Sequence, residues 1–229
     1  MFRLACLGFA VAVLGFVSGF AQEGGPPPAP EGPPPVLMLQ GDVENGERLV
    51  GEVCSGCHGV DGISTTPAFP RIGGQIQEYL AIQAWLFKEG IRPSPVMGPV
   101  ATALSDQEIA DAAAYLATVS TTGEPFAAQD QAPVERGATL FHMGNVEAGL
   151  VACAVCHGRN GEGVEATGIP QIAGQSPSYL VSMLNTFAMV PDFGDAYPNA
   201  MHIVASTLSE EDMNAVAAFL GSQPWNAQP

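Results

Sequence analysis

Apolar residues along this chain recur mainly at helical spacing. Ser105 to Glu108 has the Ser-x-x-Glu form of a capping box, and Ile109, Ala112 and Leu116 follow it at i, i+3 and i+7. The pattern returns as Ser209 to Asp212, followed by Met213, Val216 and Leu220. Each is read as the helix that closes a structural unit. A middle helix is expected to start near Gln75 in the first unit, and Ser176-Pro177 supplies a cap and a proline at the first helical position for its counterpart. Leading helices are expected around Val43 to Val53 and from about Glu135. No segment alternates convincingly between apolar and polar positions, so the fold class is all-α.

The two units are an internal duplication. Pro70, Gly74-Gln75, Tyr79-Leu80 and Phe87 match Pro170, Gly174-Gln175, Tyr179-Leu180 and Phe187 at an offset of 100. The register then slips by four, so that Met97, Leu104-Ser105 and Tyr115-Leu116 correspond to Met201, Leu208-Ser209 and Phe219-Leu220. Four extra residues therefore lie within Met189 to Asn199. Duplicated sequence implies duplicated fold, with domains assigned to residues 41–124 and 125–229.

Ahead of them, Arg3 and the apolar run Leu4 to Phe20 end in Gly19-Phe20-Ala21, the form of a secretory signal, and cleavage is expected after Ala21. The competing reading of residues 1–21 is an uncleaved membrane anchor, since 17 apolar residues rising ~1.5 Å each fall only a little short of a ~30 Å bilayer core. Both readings place the helical domains outside the cytoplasm. Residues 22–40 form a linker that contains GGPPPAPEGPPP, too rich in proline to fold.

Each unit carries one copy of a distinctive motif. Cys54-Ser55-Gly56-Cys57-His58 recurs as Cys153-Ala154-Val155-Cys156-His157, and Cys-x-x-Cys-His is the attachment sequence of c-type haem. Two thiols three positions apart add across the vinyl groups of one porphyrin, and the adjoining histidine is then held under the ring to bind iron. A zinc site would want four ligands converging on one metal, and each cysteine pair here has a single neighbouring histidine. Two covalent haems use four of the five cysteines. The fifth, Cys6, precedes most of the leader's apolar run, whereas a lipidated cysteine follows it.

His58 and His157 are the expected proximal ligands, and the group on the far side of each iron decides between electron transfer and catalysis. Met97 is the only methionine between Cys57 and the interdomain segment, and both Met97 and Met201 precede a Leu-Ser pair by seven residues. They are the expected distal ligands. Met183 and Met213 fall at apolar helical positions, Met189 lies in the insertion, and His202 matches Gly98 in the first copy. Pro70 and Pro170 are expected to present a rigid backbone carbonyl to the second imidazole nitrogen, which fixes the ring's orientation. Arg71 is a candidate partner for a haem propionate, although Gln171 replaces it in the second copy, and His142 is expected at the surface or between the domains.

Charge narrows the partners. Seven basic residues against 23 acidic ones leave a net charge of −16, and both halves are acidic. Nucleic acid is excluded on electrostatic grounds. A redox protein with a basic docking face would gain in encounter rate.

Taken together, Cys-x-x-Cys-His-Gly in duplicate, Ile169-Pro170-Gln171-Ile172-Ala173-Gly174-Gln175, Tyr179-Leu180, a distal methionine and Leu208-Ser209-Glu210-Glu211-Asp212 resemble the diheme cytochrome c4 family of tandem class I cytochrome c domains. The resemblance covers roughly residues 41–225. It implies a periplasmic carrier of single electrons, soluble or membrane-attached, that links a respiratory or photosynthetic donor to an acceptor such as a terminal oxidase. The alternatives are a membrane-anchored cytochrome subunit of a larger electron-transfer complex and, less favoured by two matched methionines, a diheme enzyme with an open iron. For the leader, mass analysis of the native N-terminus is expected to find Gln22 as the first residue; an intact Met1 would establish the anchor instead.

Overall fold

The computed structural model describes residues 34–126, 130–190 and 200–226. The leader, the linker as far as residue 33 and most of the four-residue insertion lie outside the described residues. Among the described residues no helix is long and apolar enough to cross a membrane.

The first half runs through α1 (Val43–Leu49), α2 (Ser55–His58), α3 (Gln77–Lys88), α4 (Met97–Thr102) and α5 (Asp106–Thr118), and ends in a two-residue strand β1 (Thr122–Gly123). The second repeats it as α6 (Gln131–Met143), α7 (Ala154–His157), α8 (Pro177–Met189), α9 (Ala200–Ala205), α10 (Glu210–Gly221) and β2 (Trp225–Asn226). Both expected capping boxes form. Ser105 accepts from the Glu108 N–H while Glu108 accepts from the Ser105 N–H, and Ser209 and Asp212 do the same. Ser176 caps α8 by accepting from the Tyr179 N–H, with Pro177 at the first helical position.

The leading helices differ from their expected form. In the first half a π-helical turn over Val50–Cys54 carries the helix from α1 straight into α2, so helical backbone extends to His58. In the second half α6 stops at Gly144, whose φ of +66° a side chain would strain, and a turn held by Asn145 and Leu150 separates it from α7. Short strands were not anticipated either. β1 pairs antiparallel with β2, joining the ends of the two halves.

Each half packs in the same way: the leading helix lies across the closing helix, and the middle helix packs on both the closing helix and the short methionine-bearing one. Ile109, Ala112 and Leu116 of α5 and Met213, Val216 and Leu220 of α10 are buried, as their periodicity predicts. Burial of each large aliphatic side chain contributes roughly 1.5–3 kcal/mol. The crossings are close because glycine sits at each. A Cβ on Gly46 would stand 2.0 Å from the Asp111 carbonyl oxygen, and one on Gly137 would stand 2.0 Å from that of Ala215.

One buried carboxylate braces the first crossing. Asp111 accepts hydrogen bonds from the Asp42 N–H at 2.8 Å, Gln107 Nε2 at 2.7 Å and Asn45 Nδ2 at 2.5 Å. Burial pushes its pKa up, but these three donors outweigh burial and hold the carboxyl below its ordinary value.

The halves meet through a two-fold-like exchange of carboxamides. Gln75 Oε1 accepts from the Gln171 N–H at 2.9 Å and its Nε2 donates to the Gln171 carbonyl at 2.9 Å. Gln175 does the same to Arg71, at 2.9 Å and 2.8 Å. The donor and acceptor presented by each backbone dictate which way each carboxamide faces. Trp225, fully buried, adds a bond from Nε1 to the Gly73 carbonyl at 2.8 Å. Arg92 reaches across as well, donating to Gln83 Oε1 in its own half and to the Tyr179 hydroxyl at 3.0 Å in the other.

Two outcomes are expected from this packing. Gly46→Ala and Gly137→Ala each lower stability by about 1–3 kcal/mol, because the methyl meets a backbone carbonyl and the Cβ of Tyr115 or Phe219, none of which can swing aside; an unchanged denaturation midpoint would refute the close crossing. The Asp111 carboxylate stabilises the fold above its unfolded pKa of about 3.9, and that stabilisation is lost as pH falls through its lowered folded value. Thermal unfolding measured against pH is therefore expected to show a shallower loss below about pH 4 in Asp111→Asn than in the unaltered protein.

Candidate functional site

His58 and His157, the expected proximal ligands, are each the last residue of a one-turn helix and are followed at once by a glycine with φ of +84°. That left-handed residue turns the chain away so that the imidazole faces inward, and both rings are buried. His58 Nδ1 lies 2.9 Å from the Pro70 carbonyl oxygen and His157 Nδ1 lies 3.0 Å from that of Pro170. A carbonyl only accepts, so Nδ1 carries the hydrogen and Nε2 keeps its lone pair. Burial pushes both imidazoles below the usual histidine value, against an opposing pull from the proline carbonyls. A neutral ring with one free nitrogen is the form that binds a metal.

Burial pushes the Cys54 and Cys153 thiols up to about 11, so both are protonated thiols at neutral pH. Among the described residues no group of three His, Cys, Asp or Glu side chains is placed to hold a metal ion.

A cavity of about 530 Å³ brings the second motif together with its expected partners: Cys153, Cys156, His157, Pro170 and Met201 all line it, amid Leu, Val, Ile and Phe side chains. It runs on to Gln75 and Tyr79 of the first half. Apolar walls, two cysteines, a metal-ready imidazole and a thioether in the same lining fit haem c. Met97 begins α4, its N–H held by Ser94 Oγ at 3.0 Å, and α4 packs on α3 as α9, which bears Met201, packs on α8.

Among the competing residues, Met183 also lines this cavity, whereas Met189, Met213 and His202 do not. Met189 is largely exposed, Met213 lies in the helical core, and Met183 accepts from Arg92 at the cavity wall. His202 has Nδ1 2.8 Å from the Phe187 carbonyl oxygen. His142 is exposed, edge-on to Phe141 and Phe219.

Arg71 departs from its expected role. Its guanidinium donates to the carbonyl oxygens of Ser64, Gly174 and Glu124 at 3.1, 2.8 and 2.7 Å and lies over the Phe126 ring. It is therefore a tie between chain segments, which also explains why the second half manages with glutamine at that position. The junction residues Gln75, Gln175 and Arg92 were not singled out from sequence, although the repetition of Gly-Gln at an offset of 100 marked two of them.

Comparison with known proteins agrees with this geometry. The family model described as Cytochrome c matches twice, over residues 43–120 and 134–224. The chain is 34% identical to cytochrome c4 of Pseudomonas aeruginosa over 180 residues, 79% of this chain and 88% of that one. It is 32% identical over 197 residues to the thiosulfate dehydrogenase electron acceptor of Stutzerimonas stutzeri, covering 82% and 90% of the two chains. The crystal structure of reduced recombinant cytochrome c4 from Pseudomonas stutzeri superposes with a TM-score of 0.72 at 34% identity, over 80% of this chain and 99% of that one. Helices that wrap two covalently attached haems c define a diheme electron-transfer cytochrome. The chain belongs to the diheme cytochrome c4 family.

Proposed function

We propose that the protein is a periplasmic carrier of single electrons, with His58 and Met97 closing the first iron and His157 and Met201 the second. Cys54 and Cys57 hold the first haem by thioether bonds, and Cys153 and Cys156 the second. One observation carries the reading: a single apolar cavity lined by both cysteines of a motif, its histidine and the duplicated methionine. Bound haem supplies a one-electron ferric/ferrous couple.

The chain's own residues determine how that couple behaves. A methionine thioether favours the ferrous state and raises the potential, whereas the Pro70 and Pro170 carbonyls make the imidazoles more basic and oppose it. With a histidine and a methionine as its ligands, each iron would keep no position for a substrate. Val151 and Val155 line the cavity yet are 56% and 72% exposed, so an apolar rim marks where a partner approaches the second centre. Around it the net charge of −16 favours a redox partner with a basic face.

The relative named thiosulfate dehydrogenase electron acceptor favours a second reading, in which the chain is the cytochrome subunit of a larger complex, held by its N-terminal segment, and takes electrons from a dehydrogenase. Ligation is tested on the oxidised holoprotein. Met97→Ala is expected to abolish the near-infrared sulfur-to-iron charge-transfer band of one haem and leave the other, and Met201→Ala the converse. An unchanged band in either variant would overturn that methionine's assignment.

A further inference from the structure

The two proximal histidines are each linked to the opposite half of the molecule by a single peptide group. His58 donates from Nδ1 to the Pro70 carbonyl at 2.9 Å. The N–H of that same peptide, which belongs to Arg71, donates to Gln175 Oε1 at 2.9 Å. The mirror path runs from His157 to the Pro170 carbonyl at 3.0 Å, and from the Gln171 N–H on the same peptide to Gln75 Oε1 at 2.9 Å. Each carboxamide oxygen also accepts from the N–H of its own following residue, Ile76 at 3.0 Å and Ser176 at 2.9 Å. Gln75, Gln175, Arg71 and Gln171 are all at least 96% buried, so water does not compete for these bonds.

From this geometry we infer that Gln75 and Gln175 are positioning residues that tune the reduction potential of the haem in the opposite half, each acting through one peptide and one imidazole. The inference rests on the reading of His58 and His157 as axial ligands. An acceptor drawn to a peptide N–H shifts electron density toward that peptide's own oxygen, so hydrogen bonds in series strengthen one another, most of all where the dielectric is low. The strengthened carbonyl pulls harder on the Nδ1 hydrogen, which makes the imidazole a more basic ligand. A more basic ligand stabilises ferric over ferrous iron and lowers the potential. Loss of Gln75 therefore relaxes the His157 path and raises the potential of the second haem, and loss of Gln175 raises that of the first.

The test is a crossed pair of variants of the full diheme protein, Gln75→Leu and Gln175→Leu, with Gln75→Asn and Gln175→Asn as milder forms that keep the amide but withdraw it by one methylene. Potentiometric titration is followed by NMR, with haem methyl resonances assigned to each half. Gln75→Leu is expected to raise the midpoint of the second haem alone and move the exchangeable Nδ1–H resonance of ferrous His157 upfield. Gln175→Leu is expected to do the same to the first haem and His58. A shift in the haem of the variant's own half, an equal shift in both, or none in either would overturn the relay, since a merely loosened junction affects the same centres whichever glutamine is lost. Loss of the His/Met low-spin spectrum in the unaltered protein would instead count against the ligation reading.

Discussion

Two peptide groups, Pro70–Arg71 and Pro170–Gln171, hold this molecule to its purpose. On one side each presents a rigid carbonyl that selects the histidine tautomer; on the other it presents an N–H and a neighbouring carbonyl that the opposite half grips with a carboxamide. Proline makes the first role dependable, because its ring removes a donor and narrows the backbone to one setting. The second role follows from burial. A peptide shielded from water must find its partners in protein, and a glutamine side chain is the amide that matches it.

Around these peptides the helices supply walls. Closing helices bury an aliphatic stripe, leading helices cross them at glycine, and middle helices pack against the short methionine-bearing segments. A small protein with few aromatics has limited apolar surface of its own, and a buried porphyrin supplies the rest. Three of the charged groups left inside are held by hydrogen bonds. Asp111 braces a helix start, Arg71 ties three carbonyls, and Arg92 spans the junction between Gln83 and Tyr179.

Much of this was readable from the chain because duplication doubles every signal. Capping boxes at Ser105 and Ser209 were legible since a cap is local chemistry, and Met201 was expected ahead of Met183, Met189 and Met213 because Met97 repeats its spacing. The proline carbonyls were legible from a proline 12 residues after the first histidine and 13 after the second. What escaped notice depends on distance in space. Gly46 and Gly137 carry no local mark that another backbone will pass within contact, and they stand at different distances from their cysteine motifs. Arg71 looked like a counter-ion for a haem carboxylate because nothing in sequence places the carbonyls of Ser64, Glu124 and Gly174 around it. The strand pair between β1 and β2 is two residues long, below what alternation can signal.

The carboxamide exchange carries one more consequence. Each half offers one glutamine amide and one receptive peptide in mirrored positions, so the contacting face is self-complementary in the way an isologous dimer requires. Joining two such modules end to end turns a concentration-dependent encounter into an intramolecular one, so the paired faces stay together at any dilution.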